Sequence, residues 1–247
     1  MKFNFHGTYS DKDIKLFQDT QNNDLVEICR YLQTDVNLLS GVRFEIFDTR
    51  EGKQEADPNH SISRASARFD EMAIYRFWLP TNDPHFPHET THLVSHTWAK
   101  PYLLTEELDT AYGTKINKTF QMVSTSFMQE GLAIAVDDIV FNRKLLEDGE
   151  HKLIDDWCRK QSDKLPILLK QAINLKGFGS IENKVVVPFA ASFSKFLLQS
   201  FGLDRYKQMY VLLKETDSSE INVRTIEKVY ELNEQQLLDM WKKSVLG

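Results

Sequence analysis

The chain has 247 residues, of which 41% are apolar and 27% charged, with a formal net charge of −6. That length suffices for one good core or two small lobes, and an acidic balance without a basic stripe argues against nucleic acid as a partner. No window holds an apolar run long enough to span a bilayer and the start lacks the charged-then-apolar pattern of a signal peptide, so a cytoplasmic protein with no membrane contact is expected.

In chain order, apolar residues at Ile14, Phe17, Leu25, Ile28 and Leu32 predict one or two amphipathic helices over Asp11 to Gln33, broken near Asn22-Asn23. Val42 to Thr49 alternates as a strand, with Phe44 and Ile46 facing one way and Arg43 and Glu45 the other. Arg50 to His60 is polar, holds Gly52 and Pro58, and reads as a loop. Ser61 to Phe69 and Met72 to Leu79 read as a hairpin about Asp70-Glu71, and the second strand could offer its edge to an extended substrate. Asp155 to Lys176, Pro188 to Phe201, Asp204 to Lys214, Val223 to Glu231 and Asn233 to Val245 read as helices, with Gly202 suited to the position after a helix end. Cys29 and Cys158 are too few and too far apart for a disulfide framework or a Cys-type zinc site, and read as buried, reduced thiols.

The segment His88-Glu89-Thr90-Thr91-His92 carries the chemistry. Residues four apart share a helix face, so both imidazoles can reach one Zn2+, and Glu89 can lean toward a water that the ion acidifies to a pKa of about 7. Such an assembly suits attack of water on a polarised carbonyl. Pro84 and Pro87 before the motif, the apolar Leu93, Val94 and Trp98 after it, and Pro101 beyond predict a helix from about Phe86 to Ala99. Thr90-Thr91 speaks mildly against it, because β-branched residues are poor helix formers.

Two histidines leave zinc short of a ligand. The longer H-E-x-x-H-x-x-G-x-x-H pattern is excluded, because Ser95 and Trp98 stand at its Gly and third His positions. His96 shares the helical face, but it would lie about 12 Å from His88 along one axis, too far for one ion; it reads as a solvated or cleft-wall residue. His85, three before His88, is a candidate transition-state donor. Glu130 follows Ser126 and Gln129, which fit a capping box, and precedes Gly131 and the apolar run Leu132 to Val136. It is either a first-turn carboxylate favoured by the helix dipole or the third ligand, with Gly131 letting the two helices approach closely. Asp137 and Asp138 read as a polar helix end, and Phe189, Phe193, Phe196 and Phe201 as core.

H-E-x-x-H followed by Gln129-Glu130-Gly131-Leu132-Ala133 resembles the gluzincin (peptidase MA-like) zinc metallopeptidases. Val187-Pro188-Phe189-Ala190-Ala191-Ser192-Phe193, then Phe201-Gly202, resembles their segment after the third ligand, and Ile226 to Trp241 their closing helices. The resemblance spans roughly residues 72 to 245. It implies His88, His92 and Glu130 as zinc ligands and Glu89 as general base.

The sequence departs from that pattern in three ways. The span from His92 to Glu130 is longer than in thermolysin-type members, so an insertion, Pro101 to Phe120, is expected beside the site as a lid or mobile loop. Val187 stands where relatives often carry a tyrosine for the developing oxyanion, which leaves His85, Tyr102 or Tyr112 to supply a donor. The G-x-M-E-N element that binds a free amine in related aminopeptidases is absent, which favours an endopeptidase.

The expectation is therefore an α+β, zincin-like two-lobe fold. Residues 1–100 form an α/β lobe with a small, mainly antiparallel sheet ending in the active-site helix, and residues 101–247 a helical lobe carrying Glu130. The expected function is zinc-dependent hydrolysis of peptide or protein substrates. The alternative is a weakly active or inactive peptidase-like domain serving as a binding or regulatory module, and a non-peptide hydrolase using the same zinc chemistry is a third, weaker reading.

Overall fold

The computed structural model describes residues 1–60, 63–109, 115–147, 149–165 and 168–247. They form an α+β protein with many helices and small sheets, divided into two compact units, Met1–Thr97 and Trp98–Gly247. Among the described residues no helix is long and apolar enough to cross a membrane.

The first unit holds a four-stranded sheet of β1 (Lys2–His6), β2 (Arg43–Phe47), β3 (Ala65–Arg68) and β4 (Ala73–Phe77) in the order β1-β2-β4-β3. Both β1–β2 and β2–β4 are parallel, and only β3–β4 is antiparallel. The expected mainly antiparallel sheet is thus corrected for this unit. The sequence reading overlooked β1, and the helix α1 (Asp11–Tyr31) that follows it is a crossover long enough to return the chain parallel to its start. The hairpin about Asp70-Glu71 forms as expected, but β4 is interior, so its edge is not free; β1 and β3 are the edge strands.

Helix α1 runs through Asn22-Asn23 without a break. Both asparagines lie on its exposed face, where their propensity cost is a fraction of a kcal/mol, while Phe17, Leu25 and Ile28 are buried on the other. Ser10 and Asp13 close a capping box at its start. The core beneath is aromatic: the Phe17 ring sits 4.8 Å from Trp78, and Phe3 stacks on Phe44 at 5.0 Å.

Most of the segment expected as a loop, Arg50 to His60, is helical: α2 (Arg50–Ala56) and a 3₁₀ turn Pro58–His60. Thr49 caps α2 by accepting the Gly52 N–H. Its polarity misled the sequence reading because it buries an ion pair rather than an apolar stripe. Lys53 and Asp57, 1% and 0% exposed, lie 3.0 Å apart, and Asp57 also accepts from Arg68 and Ser66.

The second unit opens with the antiparallel hairpin β5 (Tyr102–Asp109) and β6 (Lys115–Met122). Within the expected insertion, Pro101 to Phe120, the described residues 102–109 and 115–120 are paired strand rather than irregular loop, and 110–114 lie outside the described residues. Helix α4 (Ser126–Phe141) follows, ending on Asn142 in the left-handed conformation. A small hairpin, β7 (Leu145–Glu147) and β8 (Glu150–Lys152), then leads into helices. The single helix expected over Asp155 to Lys176 is instead α5 (Ile154–Lys160), α6 (Leu169–Ala172) and α7 (Leu175–Ser180). Pro166 disfavours helix at the residue before it.

Helix α8 (Asn183–Phe201) starts before Pro188 and contains it. Then come α9 (Leu203–Leu212), α10 (Ser219–Tyr230) and α11 (Glu234–Leu246), the last two capped by Ser218 and Asn233. Gly202, at φ 84°, joins α8 to α9. The phenylalanines of α8 are core as expected, with Phe189 meeting Phe127 and Trp241 at 5.5 and 5.0 Å. Cys29 and Cys158 are free and buried, and burial pushes their thiols up to about 11 and about 12.

Candidate metal centre

The motif lies on α3 (Pro87–His96), with Pro87 at the first helical position. The helix ends at His96, shorter than the predicted span to Ala99. The two threonines are accommodated because each hydroxyl donates to a carbonyl four residues back, Thr90 to Phe86 and Thr91 to Pro87.

The chain entering α3 is pinned from two sides within the first unit. The Arg76 guanidinium donates to the carbonyls of Asp83 and Pro84 and lies 3.7 Å over the Phe86 ring. Gln21 also donates to the Pro84 carbonyl, and the buried Asp24 accepts the Phe86 N–H at 3.1 Å while its other oxygen lies 2.8 Å from His85 Nδ1. Sequence reasoning overlooked Asp24. The signal was there: a carboxylate among Phe17, Leu25 and Ile28 on an apolar helix face needs a partner.

One turn apart on α3, His88 Nε2 and His92 Nε2 are 3.1 Å from each other, with the ring planes at 85°. Two nitrogens bound to zinc at 2.0–2.1 Å and a tetrahedral angle stand about 3.3–3.4 Å apart, so the two rings already converge at nearly the spacing one ion requires. His88, His92 and Glu130 each offer one ligand atom, and the three atoms lie within 4.8 Å of one another. His92 is buried, the other two half-buried. Two imidazoles and one carboxylate are a donor set that suits zinc, so the residues present fit the ion by their chemistry. Glu89 is half-buried in the first turn of α3, the position after His88.

Glu130 sits in the first turn and a half of α4, whose start differs from the sequence reading. Thr125 is the N-cap, Ser126 is already helical, and no Ser126–Gln129 capping box forms. Gln129 instead donates to the Ser124 carbonyl at 2.9 Å. Gly131 does permit a close approach, but to α8: a Cβ there would lie 2.6 Å from the Ala190 carbonyl oxygen.

His96 is buried and stacks on Phe69 at 4.1 Å, which overturns the solvated one of its two expected readings, and burial pushes it down to about 4, keeping it neutral. The Tyr102 hydroxyl donates to the Ser124 carbonyl at 3.2 Å and accepts the Glu215 N–H at 2.8 Å, so its proton is engaged by the backbone. Burial pushes it up to about 12, against the bond from the Glu215 N–H, which favours the ionised hydroxyl. Tyr112 lies outside the described residues. Val187 packs on an apolar cluster of Ile134, Ile154 and Ala191. Asp138 bonds Lys195, which also bridges to Asp155 at 2.9 Å, so the polar end of α4 is tied to α5 and α8 through a part-buried ion-pair link.

No protein-family model, curated protein or solved structure matches this chain.

Proposed function

We propose that this chain is a zinc-dependent metallopeptidase of gluzincin type, with a zincin-like two-lobe architecture, and that it acts on peptide or protein substrates. The observation supporting this most is the grouping of His88, His92 and Glu130 ligand atoms within 4.8 Å, on a helix that also carries Glu89.

His88, His92 and Glu130 would hold the ion. Bound there, zinc would polarise the scissile carbonyl and acidify a water molecule. Glu89 would act as the base, taking a proton from the attacking water and passing it to the departing amine nitrogen as the C–N bond breaks. His85, whose ring is held by Asp24, is the donor to the substrate oxygen that we favour, because Val187 carries no polar group and the Tyr102 proton is engaged elsewhere. An internal peptide bond is favoured as substrate because no G-x-M-E-N element is present to bind a free amine.

The packing of Val187 into an apolar cluster also supports a second reading, a zinc-holding domain with little or no turnover that binds peptides. A peptide-library digest with added zinc, compared with a chelated sample, separates the two. Cleavage by the zinc form, abolished in a Glu89→Gln variant that still binds zinc, is the expected result. Undiminished cleavage by Glu89→Gln would refute the assigned base, and zinc binding without any cleavage would favour the binding module.

A further inference from the structure

We propose that Tyr102 and Glu215 are positioning residues that set the metal affinity of Glu130 by clamping the first turn of α4. The inference rests on the metal reading above and adds to it a control point far from the ligands in sequence.

Helix α4 begins without a side-chain cap of its own, since Thr125 makes no capping hydrogen bond. The first N–H groups of such a helix are otherwise unsatisfied, and an uncapped first turn frays. Here the cap comes from 89 positions downstream: one Glu215 oxygen accepts the Ser126 N–H. Its second oxygen accepts the Leu175 N–H at 2.7 Å, at the start of α7. The same residue donates its own N–H to the Tyr102 hydroxyl, and that hydroxyl donates to the Ser124 carbonyl. Ser124 and Ser126 flank the N-cap, so the pair grips the chain on both sides of it.

The loop that carries Glu215 is itself held. Asn174 donates to the carbonyls of Glu215 and Asp217 at 3.1 and 2.8 Å, and Asn222 Nδ2 bonds the Lys214 carbonyl at 2.8 Å. The clamp is therefore a fixed platform, not a flexible tether. Glu130 follows Ser126 by one helical turn, so a first turn that frays moves its carboxylate directly. Metal affinity depends steeply on how well supporting residues hold each ligand, with losses of about 10–100-fold when such support is removed. Glu215→Gln keeps the shape but presents an NH2 where an acceptor is needed, and Tyr102→Phe removes the hydroxyl that links Glu215 to Ser124.

The test is zinc affinity of the full chain by competition with a chromophoric chelator, with the visible spectrum of the cobalt form as a second readout. Wild type, Glu215→Gln, Tyr102→Phe and the core trim Ile226→Val in α10 are compared at a temperature where each is folded. The expected result is a loss of about tenfold or more in zinc affinity for Glu215→Gln, a smaller loss for Tyr102→Phe, and altered cobalt bands in both. Ile226→Val lowers stability without changing affinity. Wild-type affinity in the folded Glu215→Gln and Tyr102→Phe proteins would overturn the clamp while leaving the metal centre intact. Should Glu215→Gln fail to fold, Tyr102→Phe alone decides. A wild-type chain that binds no zinc would overturn the metal reading itself, and the clamp with it.

Discussion

Asp24 Oδ1 lies 2.8 Å from His85 Nδ1, which ties the middle of α1 to a residue three positions before His88. The second oxygen of the same carboxylate takes the Phe86 N–H, so one buried group orients both the ring and the backbone that leads into the motif helix. Asp24→Asn offers only one acceptor oxygen to these two partners and buries an extra NH2. It should lower stability by about 1–3 kcal/mol, measured by urea denaturation. A midpoint equal to wild type would mean the bond does not anchor α3.

The buried Lys53–Asp57 pair makes an analogous prediction for α2. Burial alone would raise the Asp57 pKa, but hydrogen bonds from His60, Ser66 and Lys53 outweigh it and hold the carboxyl well below its usual range. Asp57→Ala leaves Lys53 and Arg68 without their shared carboxylate and should cost about 3–5 kcal/mol. Lys53→Met should cost less, because Arg68, His60 and Ser66 still satisfy Asp57. A depressed carboxylate pKa stabilises the fold above the unfolded value of about 3.9 and loses that contribution as pH falls further. Wild type should therefore lose stability below about pH 4 more steeply than Asp57→Ala in parallel denaturation series.

His96 adds a separate acid sensitivity. Burial holds it at about 4 against an ordinary 6.5, so the unfolded chain binds its proton first as pH falls. Stability contributed by the neutral ring is complete above pH 6.5 and declines between 6.5 and about 4. His96→Leu should flatten the stability profile in that window while keeping the decline below pH 4. Identical slopes for the two proteins from pH 6.5 to 4 would exclude a buried neutral His96.

Gly131 and Gly179 form a paired test of helix approach. A Cβ at Gly131 would strike the Ala190 carbonyl and the Ser194 hydroxyl, whereas one at Gly179 meets nothing within 4 Å. Gly131→Ala should destabilise by about 1–3 kcal/mol through forced separation of α4 and α8. Gly179→Ala should be neutral or mildly stabilising, since it only restricts the unfolded chain. Thermal melts of both variants give the comparison directly.

How far the sequence foretold this structure depended on whether the deciding forces were local. The presence of α3, the β3–β4 hairpin and the helices from α8 onward follows from periodicity and turn signals that lie within a few residues of one another, although α3 stops short of Ala99 and α8 starts before Pro188. The parallel pairing of β1 with β2 was not legible, because it joins strands some forty positions apart and no local pattern reports the direction of so distant a partner. Helix α2 was hidden because its burial is ionic, through Lys53, where apolar spacing is the usual sign. At the candidate site, His88, Glu89 and His92 were legible as a motif and Glu130 as an uneasy carboxylate in an apolar helix. Tyr102 was read as a donor for chemistry, yet its hydroxyl serves the Glu215 backbone, a partner 113 positions away that no local pattern signals.

The central claim is that His88, His92 and Glu130 hold one divalent ion together. Its most direct measurement is zinc stoichiometry and affinity by equilibrium titration of wild type beside Glu130→Ala and His92→Ala. One tightly held zinc per wild-type chain is expected, with a loss of at least about a hundredfold in affinity for either folded variant, since each lacks a direct ligand. A folded Glu130→Ala protein that binds zinc as tightly as wild type would contradict it.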